Sequence, residues 1–228
     1  MADKNLLTTG IELYRNARYS DSLTFFLSLP SDSEADNNEV AYYLGLCYVK
    51  LGHYEDAMLY LEQVVTSASH NDRVLQCRFI LAIIYASSGR KRLAEFELSK
   101  LKETGYKPDS VYAAMAFIAW EQNDAEKCFN YYQRSLEINS ENVTALNGMG
   151  YCLACEDKDL TKALSMCKKA VDIAPDSAAC LDSLGFVYYK LGLMNDARKY
   201  LEKAEQIDNE NEEIAAHIRN MLLDGERA

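Results

Sequence analysis

Apolar residues recur at three- and four-residue spacings along nearly the whole chain, in stretches of about a dozen residues. That spacing predicts amphipathic helices with one buried face each. The stretches come in pairs separated by short polar breaks, and the pairs share a skeleton. Residues 43–57 read YLGLCYVKLGHYEDA and residues 183–197 read SLGFVYYKLGLMNDA, so the Leu-Gly, Tyr, Lys-Leu-Gly and Asp-Ala letters coincide while the others change. Glycines 52, 89 and 192 mark the break within a pair, where a residue with positive φ lets the chain reverse tightly. The pattern therefore predicts helix pairs, antiparallel within each pair.

With Leu-Gly-x-x-Tyr taken as positions 7, 8 and 11, the pattern stays in frame at a period of about 34 residues. The units occupy 3–36, 38–71, 75–108, 109–142, 143–177 and 178–211, with residues 72–74 inserted after the second and one extra residue in the turn of the fifth. The second unit carries Leu44, Gly45, Tyr48, Gly52, Ala57 and Leu61, and the sixth carries Leu184, Gly185, Tyr188, Gly192, Ala197 and Leu201. The first and fourth are weaker, with Gly10, Ser22 and Phe26, and with Ala116, Cys128 and Tyr132. Gly or Ala at position 8, and Ala, Ser or Cys at position 20, mark the closest approach of two crossing helices, where only a small side chain fits. A leucine placed at Gly185 is expected to cost about 1–3 kcal/mol through overpacking.

Six units in frame over residues 3–211 resemble the tetratricopeptide repeat family, although the second and sixth lack the family's proline. The resemblance implies an all-α fold, a right-handed superhelical α-solenoid of antiparallel helix pairs in a single domain over 1–228. Beyond it, about 212–224, Ile214, Ile218, Met221 and Leu222 form an i, i+4, i+7, i+8 stripe with Gly225 after its end. This helix is expected to cap the last repeat; docking into a neighbouring molecule's groove is the alternative.

In that family the first helix of each pair lines a concave groove, and positions 5, 9 and 12 of the unit look inward. Carried onto this chain, these positions give Tyr42 and Leu46, then Phe79 and Ile83, then Phe117 and Trp120. The last two units add Asn147 and Tyr151, then Asp182, Phe186 and Tyr189. An aromatic stripe of this kind is expected to hold an extended or helical segment of another protein by apolar anchors. The competing reading is that these residues, those at position 9 above all, pack sideways between adjacent first helices. Members that clamp a C-terminal carboxylate use Lys and Asn at positions 5 and 9; Leu7, Ile11, Tyr42, Leu46, Phe79 and Ile83 stand there instead, so that clamp is not expected.

Composition narrows the partner. The 228-residue chain is 49% hydrophobic and 26% charged, an ordinary globular balance, and its net charge of −11 opposes binding to a nucleic-acid backbone. No apolar run reaches the length of a membrane span, and the first residues lack the basic and apolar regions of a secretory signal. Seven cysteines without a disulfide framework favour a reducing, cytoplasmic setting. Cys152 and Cys155 form a Cys-x-x-Cys, but late in a helix and with no second pair, so packing is the expected role rather than metal or redox chemistry. His53, His70 and His217 fall in separate units and do not suggest a nucleophile pair. The expectation is a non-enzymatic scaffold or adaptor without cofactor or metal. A carrier or sensor of an apolar small molecule or lipid in the same groove is the alternative, and self-association through the terminal helices is the other expected contact.

Overall fold

The computed structural model describes residues 7–30, 35–66 and 72–225, and among these residues it contains thirteen α-helices and no strand. The chain forms two compact units, Met1–Tyr106 and Lys107–Ala228. The first holds the pairs α1 (Thr8–Arg15) with α2 (Tyr19–Leu27), α3 (Asn37–Lys50) with α4 (Tyr54–Thr66), and α5 (Asp72–Ser87) with α6 (Lys91–Thr104). The second holds α7 (Pro108–Glu121) with α8 (Ala125–Ile138), α9 (Val143–Cys155) with α10 (Leu160–Ile173), and α11 (Ala178–Lys190) with α12 (Met194–Ile207). A last, unpaired helix follows, α13 (Glu212–Gly225). The architecture is an all-α helical repeat of the solenoid type.

The turn inside each pair places a residue with positive φ at the same repeat position. It is Gly52, Gly89 and Gly192 in three repeats, with φ of 78°, 75° and 73°. Ala17, Asn123 and Asp157 take the same place in the other three, with φ of 58°, 59° and 50°. Asn and Asp tolerate this region through local hydrogen bonding, whereas alanine has no such compensation. After the turns, Asp124 and Asp159 cap α8 and α10 by accepting from the amides of Lys127 and Lys162. Asn142 and Ser177 do the same for α9 and α11. The inserted residues 72–74 lengthen α5 at its start to 16 residues rather than forming a loop.

The crossing points carry the small residues. Ala57, Ala94, Cys128, Ala163 and Ala197 are fully buried, and a Cβ built on Gly185 would lie 2.7 Å from Leu201 Cγ. At the same point in α3, a Cβ built on Gly45 would lie 2.7 Å from Leu61 Cδ2. In the first repeat Ser22 replaces the alanine, and its hydroxyl donates to the Gly10 carbonyl at 2.8 Å while accepting from the Cys47 thiol. A buried hydroxyl is thus accommodated because both its donor and its acceptor capacity are used.

Helix α13 packs on α12 and α11 as a further first helix would. Its Ile214 joins Leu181 and Ala204 in one apolar cluster, and Ile214, His217 and Met221 are all buried. Counted from Glu212, the eighth residue of α13 is Arg219, where the repeats carry glycine or alanine, so α13 offers no close crossing point for a partner helix.

Candidate partner-binding faces

In the first unit, Tyr42 and Leu46 of α3 are buried. The Tyr42 hydroxyl donates to Gln76 Oε1 of α5 at 2.8 Å, and the Arg73 guanidinium lies 5.3 Å from its ring centre. Burial, reinforced by the Cys77 thiol and Tyr43, pushes the Tyr42 phenol up to about 12, so it stays a neutral donor. Tyr42 thus ties α3 to the next first helix, α5. Phe79 is half-buried, and Ile83 remains 45% exposed.

In the second unit the exposure is distributed differently. Phe117 is 43% exposed and Trp120 is half-buried, the indole packing on the cluster around Cys128, Tyr132 and Met149. Asn147 of α9 is half-buried, and its Oδ1 is buried without a hydrogen-bond partner. Tyr151, Phe186 and Tyr189 are half-buried and close together: the Tyr151 and Phe186 rings are 5.4 Å apart, and the Phe186 and Tyr189 rings 6.2 Å apart. Asp182 is buried.

The side of α11 facing α13 is already engaged. His217 Nδ1 lies 2.9 and 3.0 Å from the two carboxylate oxygens of Asp182, and its ring stacks on Phe186 at 4.5 Å and 27°. Tyr151 donates to Glu213 at 2.6 Å, and Tyr189 donates to Asp224 at 2.5 Å. The hydrogen bond to Glu213 and burial both raise the Tyr151 phenol well above the ordinary range, burial contributing most. Sequence reading places the α13 apolar stripe but gives His217, Glu213 and Asp224 no role. The available signal is that His217 falls between Ile214 and Met221 at helical spacing, on the buried side.

A shallow cavity of about 370 Å³ lies at this end of the unit, between Phe186, Tyr189 and Lys190 of α11, Asp157 and Gly192 in the turns, Met194, and Asp224. Lys190 is held there by Asp157 at 2.6 Å, with its ammonium 6.0 Å from the Phe186 ring centre. All seven cysteines are free thiols, and Cys128 and Cys152 meet across α8 and α9 with their sulfurs 3.8 Å apart. Burial holds Cys77 and Cys167 up at about 12, so both are protonated at neutral pH.

Models described as tetratricopeptide repeat match residues 39–69, 109–142 and 141–210, three windows that follow the helix pairs. The chain belongs to the tetratricopeptide repeat family. Such repeats are generally non-catalytic and mediate contacts between proteins. The TPR repeat-containing protein PA4667 of Pseudomonas aeruginosa is 32% identical over 103 residues, covering 45% of this chain and 17% of that protein. The chain thus spans about a sixth of the length of that curated relative. Among solved structures, the APC/C hetero-tetramer Cut9–Hcn1 superposes with a TM-score of 0.74 at 13% identity, over 95% of this chain and 42% of the other. YrrB, a tetratricopeptide repeat protein with an unusual peptide-binding site, gives a TM-score of 0.50 at 17% identity, over 79% of this chain and 91% of the other. At those identities the likeness concerns the fold. No helix among the described residues is long and apolar enough to cross a membrane.

Proposed function

We infer that this tetratricopeptide repeat chain is a non-enzymatic scaffold or adaptor whose first-helix faces grip a peptide or helix of a partner protein. One observation supports the reading most: on the inward repeat positions of the second unit, Phe117 is 43% exposed and Trp120, Tyr151 and Tyr189 are half-buried. Partly exposed aromatics on a rigid helical wall bury large areas with few rotors to freeze, which suits them as anchors. Phe79 and Ile83 give the first unit an apolar face of the same kind. The buried Tyr42, Leu46 and Asp182 serve these faces indirectly, by fixing the spacing of the helices. YrrB carries a peptide-binding site and Cut9 assembles with Hcn1; the present reading assigns this chain a role of that general kind.

The test is quantitative affinity capture with wild type, Phe117→Asp and Tyr189→Asp, each first checked for unchanged helicity and melting temperature. Losing one aromatic anchor should weaken the specific partners at least about tenfold. Captured proteins that bind all three forms equally would overturn the assignment of these faces.

A further inference from the structure

The side of the first unit that faces away from the first helices carries a second apolar surface. In every repeat the small residue of the second helix lies against the first helix, so the residue two places later points about 200° away, outward. In four repeats that outward residue is Thr24, Asn130, Ser165 or Lys199, all exposed and polar. In α4 and α6 it is Leu59 and Phe96, which are 66% and 54% exposed. Leu93, one turn before Phe96, is 48% exposed. The two helices are tied together beside this surface by Arg90, which donates to Glu55 at 3.1 Å and contacts Met58 Sδ at 2.9 Å. Large apolar side chains gathered on one face of one unit, in positions that are polar elsewhere in the chain, mark a covered surface.

The charges around these residues are of opposite sign on the two helices. Leu59 has Glu55, Asp56 and Glu62 at i−4, i−3 and i+3 on its face of α4. Phe96 has Arg92 and Lys100 at i−4 and i+4 on its face of α6. Glu62 accepts from the Tyr85 hydroxyl of α5 at 2.6 Å, whereas the ion pairs of Glu55 with Arg90 and of Lys100 with Glu103 at 3.2 Å are solvent-exposed and therefore weak. A two-fold axis through the patch would lay the carboxylates around Leu59 of one copy against the cations around Phe96 of the other, twice, with the apolar side chains between them. Such self-complementarity is what an isologous contact requires. We propose that the outer face of α4 and α6 is a homodimer contact, with a second copy of this chain as its occupant.

Sedimentation velocity on the full chain, from about 2 to about 200 µM, tests this in the range of weak-to-moderate association. The expected result is a sedimentation coefficient that rises with concentration to a dimer value. Leu59→Ser with Phe96→Ser should raise the dissociation constant by at least about tenfold while leaving the melting temperature near wild type. Charge reversal separates apolar sticking from the specific contact. Asp56→Lys should be monomeric alone, and so should Arg92→Glu with Lys100→Glu, whereas their mixture should restore a dimer. A chain that stays monomeric at the highest concentration overturns the proposal. So does a dimer that both charge-reversed forms retain, or a surface that binds another protein while the chain itself remains a monomer.

Discussion

Ala17 is the one alanine among the six positive-φ turn residues, and it has neither glycine's freedom nor the short polar side chain by which Asn and Asp tolerate this region. Ala17→Gly should therefore stabilise the chain by about 1 kcal/mol, since left-handed backbone costs an alanine about 1–2 kcal/mol and the flexible glycine returns part of that in the unfolded state. Equilibrium denaturation would register a later midpoint at unchanged slope, and an earlier midpoint would contradict the argument. The opposite sign is expected at Gly185, where a leucine meets Leu201 and the backbone amide at 3.0 Å and should cost about 1–3 kcal/mol. Asp109 gives a pH dependence. Burial by itself would raise its pKa, but amides of Asn139 and Asn142 donate to its carboxylate at 3.0 and 2.9 Å, and with backbone amides they hold it below 3.8. A carboxyl depressed in the folded state stabilises above its unfolded pKa and loses that contribution as pH falls through the folded value. Asp109→Asn should therefore lower stability near neutral pH and flatten its decline below about pH 4. An unchanged acid-side slope would show that the carboxylate bears none of the linkage.

At the scale of the helix, α13 is held by more than its apolar stripe. The Asp182 carboxylate is buried, and the His217 ring is its contact on α13. His217→Ala should leave that carboxylate without its donor and cost about 2–4 kcal/mol, a large effect for one polar side chain. Asp182→Ala made in the His217→Ala background should then cost less than it does in wild type, because the buried charge has lost its partner. A double-mutant cycle measures this coupling, and strictly additive single effects would remove the pair from the account. The helices themselves, their pairing and the glycine turns follow from periodicity, small residues and turn letters, all of which act within one repeat. The burial of Tyr42, Leu46 and Asp182 is less legible, because it depends on what the adjacent first helix brings: Gln76 and Arg73 beside Tyr42, His217 beside Asp182. A repeat position states that a residue looks inward, but the neighbour's side chains decide whether it also keeps water. The outward Leu59 and Phe96 are visible in the sequence only when the six repeats are laid over one another, since within its own helix each is an ordinary apolar residue.

Across the whole molecule the thiols form a distributed reporter of the repeats. Cys47, Cys77, Cys128, Cys152, Cys167 and Cys180 are buried, whereas Cys155 is half-buried. The buried ones sit in six different helices, one each in α3, α5, α8, α9, α10 and α11. A thiol reacts as its thiolate, so burial protects these groups by blocking the reagent, and at Cys47, Cys77, Cys167 and Cys180 it also raises the pKa. Repeat arrays open locally, and each buried thiol is therefore modified only as fast as its own neighbourhood unfolds. In the folded protein, iodoacetamide at neutral pH should modify Cys155 first. Cys77 and Cys167, both held up at about 12, should follow only through opening. Peptide-level mass spectrometry over a time course would order the sites. Destabilising the second unit with His217→Ala should accelerate Cys180, in α11 against which α13 packs, and with it Cys167 of the preceding helix α10, while leaving Cys47 and Cys77 of the first unit at their wild-type rates. Equal acceleration at all of these cysteines would mean that the chain opens only as a whole, and the two compact units would then not be separate units of unfolding.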